Sequence, residues 1–105
     1  MVEMNPKFLI LSDPAEPLIG TFVYGMVGEH RELIKGYKKT HGGGWYAKDD
    51  KARTMTLYGS SGDFGEPDFR FLDRIPSELR GYTFTYSPSW GPDARELDLS
   101  DAKWI

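Results

Sequence analysis

The sequence predicts a small α+β domain, with a mixed, largely antiparallel sheet and one or two helices. Three observations carry that expectation. Residues 45–48 and 54–58 flank a polar connection, DDKAR, of hairpin length. Residues 8–11 form the longest unbroken apolar run, FLIL, which suits a strand buried on both faces. A proline-led segment after Gly65 then places Leu72, Ile75 and Leu79 at helical spacing, with Phe69 one turn earlier.

Taken in order, residues 7–12 read as a central strand, ended by the loop formers of SDPAEP. Residues 18–27 read as a second strand, in which Phe22, Tyr24 and Met26 share one face. Residues 32–37 read as a short strand or one helical turn, and Gly28 and Gly36, which oppose a stable helix there, favour the strand. The hairpin follows. Pro67 suits the first helical position, and Glu66 and Asp68 place negative charge at the positive helix end. Pro76 divides that segment and Gly81 ends it. Tyr82, Phe84 and Tyr86 alternate with Thr83 and Thr85 as a last strand. Residues 1–87 are thus expected to form one domain. Residues 88–105 form a polar tail, with Trp90, Leu97, Leu99 and Trp104 scattered through it, that packs in part or frays.

Bulk properties narrow the function. A chain of 105 residues suits one domain with a real core. No cysteine is present, so disulfides, thiolate chemistry and cysteine-based zinc sites are excluded. That usage fits a reducing, cytoplasmic setting. The first residues carry neither a basic start nor a long apolar run, so no signal peptide or membrane span is expected. A net charge of −3 lacks the basic surface that nonspecific nucleic-acid binding needs. Basic residues do gather at Arg31, Lys35, Lys38 and Lys39, as a solvated edge or as a rim that attracts anions.

The candidate chemistry centres on YGSSGDFG, residues 58–65. Gly59, Gly62 and Gly65 permit unusual backbone angles, Ser60 and Ser61 offer hydroxyls, and successive N–H groups can form an anion nest ahead of a helix. The alternative is a strand-to-helix loop whose glycines serve geometry alone. Asp63 opposes an anion by like charge. The segment matches neither the P-loop nor the dinucleotide fingerprint, and GSSG lacks the nucleophile-elbow pattern. His41 precedes three glycines and titrates near neutral pH, which makes it a candidate general base or else a surface residue. Two histidines and dispersed carboxylates match no metal motif, and nothing in the chain calls for a cofactor.

In order, PKFLIL, ELIKGYK and GGGWYAKDDKARTMTLYGSSGDFG resemble the Janus/Ocnus family, the protein histidine phosphatases, over residues 7–86. The resemblance implies a small α+β fold with a mixed sheet and flanking helices. It implies phosphate held between loops by backbone amides, a serine and basic side chains. Ser61 matches the loop serine, Lys7 a basic residue of the first strand, and Lys35 an arginine before Gly-Tyr-Lys. Three departures stand out. The segment and helix carrying the family's catalytic histidine are cut to Lys39, Thr40 and His41, Trp45 replaces an arginine, and Asp63 enters the phosphate loop.

Three functions follow as expectations. The first is a phosphatase-like domain that binds an anionic ligand or phosphorylated partner through Lys7, Lys35, Gly59, Ser60, Ser61 and Gly62, without secure catalysis. The second is a protein-interaction module anchored by the many aromatic side chains. The third is an active phosphohydrolase that uses His41.

Overall fold

The computed structural model describes residues 3–36, 38–89 and 93–105. Among the described residues eight strands make one sheet: β1 (Asn5–Ser12), β2 (Gly20–Val27), β3 (Lys39–Asp49), β4 (Thr54–Tyr58), β5 (Leu72–Ile75), β6 (Thr83–Ser87), β7 (Arg95–Glu96) and β8 (Lys103–Trp104). Their spatial order is β7-β6-β4-β3-β1-β2-β5-β8. The sheet curls into a half-barrel. Neighbours β1–β2, β1–β3, β3–β4 and β6–β7 run antiparallel, whereas β2–β5, β4–β6 and β5–β8 run parallel.

The central position of β1 follows from its sequence. Successive side chains of a strand point to opposite faces, and FLIL supplies apolar groups to both. Phe8 and Ile10 join the larger core with Phe22, Met55, Leu57 and Phe84. Leu9 and Leu11 join a second cluster on the other face, with Leu33 and, at its margin, Val23 and Phe64. Phe8 is fully buried and its ring stacks on Phe22 at 5.2 Å; burying such a side chain contributes about 3 kcal/mol.

The hairpin of β3 and β4 forms with Trp45 opposite Tyr58 and Asp49 opposite Thr54. Asp49 closes its turn by accepting from the N–H groups of Lys51 and Ala52, each at 3.0 Å. The glycine run in β3 exists because backbone crowds it on both sides. A Cβ on Gly43 would stand 2.1 Å from the Phe8 carbonyl oxygen, and one on Gly42 would stand 2.0 Å from that of Glu66.

The α+β expectation is overturned. Among the described residues there is no helix of seven or more residues, and the fold is sheet-dominated. The segment expected to be a helix after Pro67 is two short 3-10 turns, Phe69–Phe71 and Ser77–Leu79, around β5. The spacing of Phe69, Leu72, Ile75 and Leu79 misled because those residues all reach the core from a chain that turns, extends and turns again. Asp68 donates its N–H to the His41 carbonyl at 2.8 Å, which ties the start of this segment to β3. Leu72 then pairs in parallel with Gly20 and fills the open edge of β2. The same finding removes the phosphohistidine phosphatase-like fold that the family resemblance implied, since its flanking helices are absent among the described residues.

Residues 30–33 form a 3-10 turn instead of opening the expected strand. The Glu32 carboxylate accepts from the Glu29 N–H and fixes the entry to that turn. Tyr37 and Trp90, which the sequence reading placed in a strand and in the tail, lie outside the described residues. In the tail, β7 and β8 extend the sheet, and Leu97, Leu99, Ala102 and Trp104 pack against the larger core. Among the described residues no helix is long and apolar enough to cross a membrane.

Candidate functional site

The residues singled out in the sequence do not converge on one site. Around YGSSGDFG, most loop amides are already used by the protein. Ser61 donates its N–H to the Gly43 carbonyl at 2.8 Å, Gly65 donates to Ser61 at 2.9 Å, and Gly59 donates to Ser87 at 3.0 Å. The Ser61 hydroxyl is buried and accepts from the N–H groups of Asp63 and Phe64, at 3.3 and 3.2 Å. These bonds turn the loop back on itself and carry Phe64 onto the second apolar cluster. Ser60 and Gly62 face solvent.

Lys7 is buried, and its ammonium donates to the Gly28 carbonyl. His41 is buried on the larger core face, its ring stacked on Phe71 at 4.1 Å. Its Nε2 lies 2.7 Å from the Ser12 hydroxyl. Ser12 in turn donates to the Ile19 carbonyl at 2.8 Å. The polar edge of this histidine is therefore directed at the β1–β2 loop. Burial holds its pKa below the ordinary value; nearby Lys39 acts in the same direction, while the Pro17 backbone and Asp68 act against it. His30, which the sequence reading gave no role, is buried too. Its Nε2 lies 2.8 Å from the Gly44 carbonyl and its ring meets Trp45 edge-on at 5.1 Å.

Lys35 lies elsewhere, at a groove of about 420 Å³. Its floor is apolar, made by Leu11, Val23 and Leu33 on the sheet face opposite the larger core. Its rim is charged. Lys38 approaches Asp13 and Arg74 approaches Glu16, each pair at 4.0 Å. Among the described residues no carboxylate lies within 4.0 Å of Lys35.

Strand register explains how Arg74 reaches the groove. Leu11 pairs with Thr21, Thr21 with Arg74, and Arg74 with Lys103, so the four stand abreast on β1, β2, β5 and β8. Paired residues in a sheet share a face. The opposite wall is the β1–β2 loop, whose Ile19 lines the groove while its carbonyl is held by Ser12.

Comparison with family models, curated proteins and solved structures returns no match. Three cations face two carboxylates, which leaves one net positive charge over an apolar floor in a chain whose overall charge is −3. Such a local reversal of sign draws anions to the groove. Among the described residues no cluster of three or more His, Asp or Glu side chains is placed to hold a metal ion.

Sequence reasoning placed Lys35 and Lys38 in a basic rim but missed Arg74, Asp13 and Glu16. The acidic pair sits in SDPAEP, which reads only as a loop. Arg74 falls within the segment whose spacing reads as a helix. The one usable signal was the basic cluster following Leu33.

Proposed function

We propose that this protein is a binding module for a singly charged amphipathic anion, held in the groove between the β1–β2 loop and β5. The observation that carries this reading is Lys35, a cation without an ion-pair partner among the described residues, at the rim of the Leu11, Val23 and Leu33 floor. Lys38 and Arg74 are each balanced by a facing carboxylate, so one added anionic group completes the charge pattern. The cavity falls at the small end of the range for ligand sites, which pair apolar walls with a few placed polar groups. The reading includes no catalytic step. His41 lines neither this groove nor its rim, and its Nε2 is engaged by the Ser12 hydroxyl.

The experiment is a titration with octanoate and, separately, with octylammonium, followed by backbone amide shifts. Octanoate is expected to shift residues around Leu33, Lys35 and Arg74, and octylammonium to leave them unmoved. Lys35→Glu, at an exposed position, is expected to abolish the octanoate shifts and keep the fold. Equal response to both probes in the wild type overturns the reading.

A further inference from the structure

A second cavity of about 250 Å³ adjoins the first and shares Ile19 and Arg74 with it. Its character is different. Asp73 and Asp101 line it, and among the described residues neither has a cation within 4.0 Å. Arg74 borders both chambers and approaches Glu16 at 4.0 Å, with both side chains substantially exposed. The groove thus runs from a cationic end with an apolar floor to a chamber where Arg74 and Lys103 match Asp73 and Asp101 in number but, among the described residues, lie beyond 4.0 Å of either carboxylate.

We infer that the groove receives the C-terminal segment of a polypeptide, with an apolar last residue and a basic residue about three positions before it. This rests on the reading of Lys35 as the anion anchor. The terminal carboxylate meets Lys35, and the last side chain lies on Leu11, Val23 and Leu33. Length supports the fit. From Leu11 on β1 to Lys103 on β8 are three inter-strand steps. At about 4.8 Å each these span roughly 14 Å. An extended chain covers that distance in about four residues.

Polarity decides between a polypeptide and a long alkyl anion. An alkyl tail reaching the second chamber would cover Asp73 and Asp101 with methylene groups and strip them of water, which is costly for an ionised group. A peptide brings a basic side chain to those carboxylates. It also brings backbone carbonyls that accept from Arg74 and Lys103, abreast on β5 and β8. Its terminal carboxylate and its basic side chain thus each meet a group of opposite sign that has no ion-pair partner among the described residues.

The test uses the full chain and the peptide acetyl-Lys-Gly-Ser-Leu as free acid, as C-terminal amide, and with its lysine replaced by glutamate. Octanoate is the control for the anion anchor alone. The free acid is expected to bind about tenfold more tightly than the amide, the ratio that one charge-assisted contact supplies. It is expected to exceed the glutamate analogue by about threefold, as for a rim charge pair. Asp101→Lys, at an exposed position, is expected to weaken the lysine peptide and leave octanoate unchanged. If octanoate binds but the three peptides bind equally, the peptide inference is overturned and the anion reading stands. If octanoate and every peptide fail, both are overturned.

Discussion

The Ser12 hydroxyl and His41 Nε2 meet at 2.7 Å beneath the β1–β2 loop, and Ser12 also reaches the Ile19 carbonyl at 2.8 Å. Two buried side chains thus set the backbone height of one groove wall. Ser12→Ala removes a hydroxyl that serves both neighbours. Leaving buried polar groups unsatisfied costs about 1–3 kcal/mol. The urea midpoint is expected to fall accordingly, and amides of residues 13–19 to exchange faster. An unchanged midpoint would show that the loop is held by other contacts.

Both histidines give the fold a defined acid response. Burial, the largest influence on each, lowers the pKa of His30 and of His41 from 6.5. Around His41, Lys39 lowers it further, and the Pro17 backbone and Asp68 raise it. Around His30, Lys7 lowers it, and the Gly44 bond and Asp63 raise it. The folded state therefore refuses a proton that the unfolded chain accepts. Stability from these groups is complete above the unfolded value and declines as pH falls below about 6.5. Urea midpoints measured between about pH 5 and 8 should show this decline, with a shallower slope in His41→Gln and in His30→Gln. A flat wild-type profile over that window contradicts it.

The glycines are not equivalent. A Cβ on Gly43 would stand 2.1 Å from the Phe8 carbonyl oxygen, a backbone atom held in the centre of the sheet. A Cβ on Gly62 meets nothing within 4 Å. Gly43→Ala is expected to cost about 4 kcal/mol or to prevent folding, and Gly62→Ala to stay within about 0.5 kcal/mol of wild type. Thermal melts of the two variants side by side check this. Similar melts would mean that the β1–β3 pair moves apart easily.

Ser61 is expected to act on stability and not on ligand binding. Its hydroxyl accepts from two amides of its own loop. Ser61→Ala should lower stability by about 1 kcal/mol and leave the octanoate titration unchanged. A lost octanoate response at full stability would move the anion site to this loop.

What the sequence made legible was local. The β3–β4 hairpin showed because alternation and a polar turn lie within a few residues of each other. The central place of β1 showed because four adjacent apolar residues must bury both faces. β5 did not show, because Phe69, Leu72, Ile75 and Leu79 carry the spacing of a helix, while pairing with the edge of β2 selects an extended chain between two turns. Part of the groove was visible in Lys35 and Lys38. Arg74 was not, because a parallel pairing between residues distant in sequence brings it there. The loop at residues 58–65 shows a related limit. Glycines and serines announce donors, but only the folded chain shows that Gly43, Ser61, Gly65 and Ser87 carbonyls already take several of them.

The strand order also sets a sequence of events. The groove floor belongs to β1, β2 and the 3-10 turn that follows them, and β1 and β2 are an antiparallel pair joined by a short loop, which can form early and locally. Arg74 and Lys103 arrive on β5 and β8, through parallel pairings that close long stretches of chain. β8 holds its place with a two-residue strand and bonds such as that from the Ile105 N–H to the Ile75 carbonyl. Segments held by so few bonds open first in the native state. A ligand lying across the groove would clamp this outer margin onto the sheet. Occupancy is then readable far from Lys35, as slowed hydrogen exchange at the Ile105 amide, and ligand affinity carries within it the work of ordering the last strand.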